Sequence, residues 1–286
     1  NINMIPLVNG RGPEVQDQRL RPFPQFNNVM LLYPAWGNST YHALTAKFEK
    51  RYSHGLSFLA NYTWSKFIDD VQSESELAAP EDYPGYTHTE LRSLDKSLSG
   101  NDVRHRLMTS FVYELPAGTG RRLNIENRFA NLVLGGWGLG GIIELRSGAP
   151  FGVIEQTNRT NTFSHSQRPN LLGDPVINSD RSRADYLAQF FDSSAFQAPG
   201  VGVFGNSPRT ICCGPGFIGI DMSAYKWIPV TERYRVEFRT DAYNVINRPN
   251  FGMPGTVRGR GDFGRISSIL PGSAGRQLQL SLRLEF

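Results

Sequence analysis

Apolar and polar positions alternate along much of this chain, most sharply at its end. In residues 277–286, Leu278, Leu280, Leu282, Leu284 and Phe286 are separated by Gln279, Ser281, Arg283 and Glu285. Successive side chains of a strand point to opposite faces, so this segment has one greasy and one polar face. Residues 40–52 set Leu44, Ala46 and Phe48 against Thr45, Lys47, Glu49 and Arg51. Residues 56–67 set Leu56, Phe58, Ala60, Tyr62 and Trp64 against Ser57, Asn61, Thr63 and Ser65. Residues 106–114, 137–146 and 218–226 repeat the pattern, and 233–241 sets Tyr234, Val236 and Phe238 against Arg233, Arg235, Glu237, Arg239 and Asp241. The alternation predicts about seven strands, and weaker runs at 28–33 and 263–269 raise the number to about nine at most.

The connections fall into two classes. Residues 53–55 and 229–232 are tight turns, and 116–136 is longer but opens on the turn signal Pro116-Ala117-Gly118-Thr119-Gly120. Residues 68–102, 148–216 and 246–275 are long, polar and rich in Gly and Pro. Short and long connections alternate, so an up-and-down antiparallel sheet gathers all short turns at one end and all long loops at the other. Outer-membrane barrels show this asymmetry, with the short turns periplasmic. The parity then brings Phe286 to the periplasmic face.

A soluble antiparallel sandwich also alternates. Two features favour a membrane wall. Charges of both signs form ladders on the polar faces, which a watery lumen accepts. Lys47, Glu49, Arg51, Arg233, Arg235, Glu237, Arg239, Asp241, Gln279 and Arg283 are therefore expected to face a lumen. Aromatic residues also gather near strand ends, at Tyr62, Trp64, Tyr113, Trp137, Tyr225, Trp227 and Tyr234, as interfacial girdles do. Connections of roughly 30 to 70 residues are moreover long for a compact soluble domain. No run of apolar residues is long enough for a transmembrane helix, and the mean hydropathy of −0.36 suits a wall in which only alternate positions are apolar.

Composition narrows the chemistry. A net charge of +4 without a dense basic run argues against a nucleic-acid partner. Cys212 and Cys213 are adjacent, which no C-x-x-C site allows, and the five histidines lack metal-ligand spacing. Asp69, Asp70, Glu74, Glu76, Glu81 and Asp82 cluster on the first long loop and read as a solvated face. Gly135-Gly136 and Gly140-Gly141 read as a bend or bulge at a rim. Ser193 and Ser207 sit in no nucleophile elbow. The chain is therefore expected to be neither an enzyme nor the holder of a metal or cofactor.

The segments NSTYHALTAKFEKRYSHGLSFLANYTWSKFID (38–69), DVRHRLMTSFVYELP (102–116), GGWGLGGIIELRSGAP (135–150), GPGFIGIDMSAYK (214–226) and RTDAYNVINRPNFG (239–252), with the final strand, resemble in order the barrel of Oar-like TonB-dependent receptors. The resemblance implies a barrel of about 22 strands around a plug. It also implies uptake of a scarce, bulky ligand driven through TonB, with residues 1–286 as the C-terminal sector of the wall. The plug and TonB-contacting motif are expected upstream of Asn1, since the chain starts there without an initiator Met and shows no leader-like stretch near its start. Such a sector leaves two unpaired edges, which a membrane does not tolerate, so the barrel is expected to be incomplete within this chain. Ligand contacts in such receptors come from loops and the upper lumen. Trp64, Tyr83, Tyr86, Arg168, Phe190, Phe204 and Arg209 are the candidates here, and the ligand itself is not identified. The alternative is an adhesion or structural barrel without active transport.

The final strand also resembles outer-membrane insertion signals, which end in Phe after alternating apolar positions, and this implies that Leu278, Leu280, Leu282, Leu284 and Phe286 are read by the barrel assembly machinery while facing outer-membrane lipid. Phe286→Ala, or removal of Phe286, should lower the amount of folded, heat-modifiable protein in outer-membrane fractions severalfold. Undiminished amounts would refute this role.

Overall fold

The computed structural model describes residues 2–29, 37–70, 87–164, 167–178, 180–211, 213–231 and 233–286. Its frame is one antiparallel sheet of long strands: β1 (Ser39–Ser53), β2 (Leu56–Asp69), β3 (His105–Glu114), β4 (Trp137–Arg146), β5 (Phe217–Pro229), β6 (Arg235–Tyr243) and β7 (Gln277–Glu285). They neighbour one another in chain order, and the two-residue strand Ser97–Leu98 adds to β2 at its outer end. Among the described residues the sheet does not close, because β1 and β7 each have a long neighbour on one side only.

Residues paired across antiparallel strands share a face, so the register sorts the side chains. One row runs Leu280, Thr240, Ala224, Leu139, Tyr113 and Leu56. The next row on the opposite face runs Gln279, Asp241, Ser223, Gly140, Val112 and Ser57. The apolar face is uncovered: Leu44, Phe48, Leu278, Leu280, Leu282 and Leu284 are all more than half exposed. On β2 the apolar column from Leu56 to Trp64 spans roughly 26 Å along the strand at about 3.3 Å per residue.

The glycines of β4 make room for neighbours without bending the strand. Its register with β3 and β5 is continuous through Gly140 and Gly141, so the expected bulge there is absent. A Cβ on Gly138 would lie 2.2 Å from the Tyr225 ring, and one on Gly141 would lie 2.7 Å from Phe111 and Met222. The irregularity lies instead between Lys50 and Ser53 of β1. It precedes a two-residue turn in which His54 and Gly55 both have positive φ, the conformation that hairpins with right-twisted strands demand.

Three further expectations need correction. β6 begins at Arg235, because Tyr234 closes the turn by donating to the Thr231 hydroxyl (3.0 Å) and accepting from the Val230 amide (3.0 Å). Residues 263–269 form no strand, and their ladder contacts are the isolated bridges of Phe263 with Gly255 and Ile269 with Phe251. Of the weak run at 28–33, residues 30–33 lie outside the described residues. The connection 116–136 carries a helix, α1 (Arg128–Leu134), which the alternation does not signal. Asn127 caps it by accepting from Ala130 N, and Lys226 closes its other end by donating to the carbonyls of Val133 and Gly135. A cation there satisfies the orphan carbonyls and the dipole of the helix end.

Among the described residues, every buried hydrophobic side chain lies outside the seven long strands. The dry core sits in the tier formed by the long connections, where Phe151, Val153, Phe191, Ala195, Phe196 and Ile211 cluster. Short pairings brace it: Val257–Arg258 with Ile154–Glu155, and Asn170–Leu171 with Phe196–Gln197. Helix α2 (Arg183–Ala188) lies on its flank, with Tyr186 packed edge-on to Phe190. Two buried ion pairs hold this tier, one to the wall and one between its own connections. Arg209 pairs with Asp69 at the end of β2, and Arg168 pairs with Asp95 at 3.1 Å. All four side chains are at most 2% exposed.

Removing one member of such a pair strands a buried charge and costs roughly 3–5 kcal/mol. Arg209→Ala should release the tier, seen as rapid protease cleavage within 148–216 while the wall stays intact, and the joint replacement of Asp69 by Asn and Arg209 by Met should restore much of the protection. Equal protection of Arg209→Ala and the native protein would overturn this.

Candidate functional site

The polar face of the sheet is concave. It encloses a cavity of about 690 Å³ that reaches from β1 to β6. Alternation places Lys47, Glu49, Arg235, Glu237, Arg239, Asp241, Gln279 and Arg283 on this face, since each pairs across the sheet with another of its residues. Arg51 lies in the β1 irregularity and also lines the cavity. Arg233 does not belong to the wall, because it sits in the turn before β6. Phe286 follows the last paired residue, Glu285, and is 86% exposed.

The charges on this face are balanced within the strand or across to the next one. Lys47 meets Glu49 at 2.7 Å, Arg239 meets Asp241 at 3.0 Å, and Arg106 of β3 meets Glu144 of β4 at 3.1 Å. Arg235 of β6 donates to Glu285 of β7 at 2.7 Å. All of these side chains keep contact with solvent, so each pair adds at most about 1 kcal/mol of stability. Their effect is to line the concave face with fixed, mixed charge that holds water and offers both donors and acceptors. No steep field of one sign results.

The loop tier continues this site upward. Residues 2–29 pack into it: Ile5 N donates to Thr162 O (3.0 Å), Gly12 N to Gly202 O (2.8 Å), and the Asn161 side chain to Pro13 O (3.0 Å). Within the segment, Asn3 donates to the carbonyls of Phe23 and Phe26 at 2.9 and 2.8 Å. Among the ligand candidates, Arg168 and Arg209 are consumed by their buried ion pairs and are not open to a ligand. Trp64 lies on the apolar face, opposite the cavity. Phe190 packs on the tier core, and Phe204 lies edge-on to His88. Tyr83 and Tyr86 lie outside the described residues. Asp69 and Asp70 of the acidic cluster are paired, Asp70 with Asn38 and Arg92, and the cluster's other members lie outside the described residues.

Burial sets the ionisation of the tier. It pushes the Asp95 carboxyl up, against the hydrogen bond from Thr87 and the charge of Arg168 that pull it down. It likewise raises Glu155 against Arg258, and lowers Arg168 despite Asp95. His88 is 1% exposed, with Nε2 3.1 Å from Ile5 O and Nδ1 accepting from Glu90 N, and burial lowers its pKa.

A family model described as an outer membrane beta barrel domain matches residues 1–279. No curated protein matches the chain.

The lowered pKa of His88 gives a sign to the tier's pH dependence. The folded form binds the proton less readily than the unfolded one. The stability His88 lends is therefore complete above the ordinary histidine value near 6.5, and is lost as pH falls through the lower folded value. Amide protection factors, corrected for intrinsic exchange, should fall in residues 2–29 and 87–95 as pH falls from about 7 to about 5, and His88→Asn should flatten that dependence. A profile identical in native and variant protein would show that His88 does not govern it.

Proposed function

This chain belongs to the family of outer membrane beta barrel domains and sits in the bacterial outer membrane, and from that premise we propose that it is a wall sector of a TonB-dependent receptor. In this reading it is the C-terminal part of a barrel of about 22 strands. The barrel imports a scarce, bulky ligand, and catalyses no reaction. TonB supplies energy through the N-terminal part of the same protein, and the assembly machinery inserts the barrel into lipid. The long connections 68–102, 148–216 and 246–275 face outward.

One observation carries the reading: a concave wall of mixed charge lies beneath a loop tier that has a core of its own. A tier built this way holds its shape over the mouth, as a surface that selects a ligand must, while the hydrated wall below gives that ligand a path. The open edges of β1 and β7 agree with a sector of a larger circle. The ordered resemblance to Oar-like receptors supplies the remainder.

Deletion of the gene should abolish uptake of at least one member of a labelled panel of ferric chelates, cobalamin, oligosaccharides and peptides. Dissipating the proton gradient in the parent strain should abolish the same uptake. Unchanged uptake across the panel, in deletion cells that no longer adhere to surfaces, would overturn import in favour of the adhesion barrel.

A further inference from the structure

The apolar face of the wall carries a second cavity, at the end where the long connections emerge. A groove of about 880 Å³ opens between the strand ends and the overhanging tier. Its floor is the uncovered apolar face: Leu107 of β3, Leu145 of β4 and Ile218 of β5 share one row with Tyr62 of β2. Its roof is α2 with the preceding Arg181 and the segment around Arg248. Asn250 fixes that segment to the wall, because its side-chain amide pairs with both the N–H and the C=O of Ile218, at 2.9 and 3.0 Å.

The lining contains several arginines and no carboxylate. On the wall, Arg106, Arg235, Arg239 and Arg283 stand beside acids. Here, among the described residues, Arg181, Arg183 and Arg248 make no ion pair. Arg181 is held by the Gln189 and Phe190 carbonyls and by the face of Tyr186, and its Nε is buried without a hydrogen-bond partner. Arg183 lies over the Phe251 ring at 5.3 Å. The carboxylate of Asp185, on the same helix, is turned to Ser182 at 2.7 Å. The groove is thus cationic above and greasy below.

In a membrane barrel the apolar face meets acyl chains, and its rim meets headgroups. A ligand that satisfies both halves of the groove must carry an anion at one end and hydrocarbon at the other. We propose that this groove binds a phosphate-bearing lipid of the adjoining leaflet. Its phosphate lies among Arg181, Arg183 and Arg248, and its acyl chains lie along Leu107, Leu145 and Ile218. Guanidinium forks match phosphate oxygens in geometry and charge, and a site close to the membrane interface strengthens such bonds. The proposal depends on the family assignment and not on import, so the two stand or fall separately.

The test is native mass spectrometry of the whole protein in neutral detergent, titrated with phosphatidic acid, with phosphatidylcholine of the same chains, and with inorganic phosphate. Arg183 and Arg248 are exposed, so a variant carrying Arg183→Gln and Arg248→Gln should fold, as checked by its heat-modifiable mobility. Phosphatidic acid should bind the native protein and bind this variant about tenfold more weakly. Phosphatidylcholine should bind both weakly and alike. Three results would each overturn the proposal: equal phosphatidic acid binding to both proteins, phosphatidylcholine binding as tight as phosphatidic acid, or full displacement of phosphatidic acid by millimolar inorganic phosphate. The last would mark a site for a free anion, without a lipid.

Discussion

A strand that crosses a bilayer can leave no backbone N–H or C=O unpaired in hydrocarbon, and can show the hydrocarbon only apolar side chains. The remaining features of this chain follow from that pair of demands. The first is met by antiparallel register from β1 to β7, interrupted between Lys50 and Ser53 of β1 but regular enough that even Gly140 and Gly141 keep their partners. It also explains why β1 and β7 cannot be true edges in the membrane. Each presents a full row of unpaired groups, and closure needs further strands beside them. The second demand is met by alternation along the strand interiors, with Lys66 and Lys226 on the apolar face only near strand ends, and it leaves the leucines of β7 exposed in the isolated chain because lipid is their solvent.

A wall so constrained has no dry interior, and the molecule builds its core elsewhere. The tier of long connections packs Phe151, Phe191, Phe196 and Ile211 as a soluble domain would. Charge ties it to the wall through Arg209–Asp69 and ties two of its own connections together through Arg168–Asp95. A buried ion pair is a poor source of net stability but a strict positional device, since any misplacement leaves a charge without its partner. That trade suits a surface that must hold a shape above a hydrated opening.

The sequence made the wall legible and left the tier dark. Alternation located the strands to within a few residues and placed Lys47, Glu49, Arg235, Glu237, Arg239, Asp241, Gln279 and Arg283 on one face. A period of two is a local signal that needs no knowledge of partners. It failed at strand ends. Arg233 continues the alternation in sequence, yet the Tyr234–Thr231 turn takes it out of the wall. Lys226 falls on the apolar face at the short-turn end, where it caps α1 and lies over Trp137. The tier had no such signal. Arg209 meets a carboxylate 140 positions away and Arg168 one 73 positions away, and neither spacing leaves a mark in the local pattern. Both arginines looked like free ligand contacts for that reason, and burial shows them to be structural.

The two faces differ in how they treat arginine, and the difference is physical. On the concave face, water screens the charges, and Arg106, Arg235 and Arg239 stand beside a carboxylate on their own or the next strand. On the apolar face a fixed carboxylate would have to enter hydrocarbon or its boundary, where its desolvation is costly. A cation at the rim therefore finds its counter-charge outside the polypeptide, and the anions available at that depth are those of headgroups. Arg181, Arg183 and Arg248 occupy that rim, on a roof pinned to β5 through Asn250. The arrangement that leaves them without acidic partners among the described residues also fixes the height at which they stand.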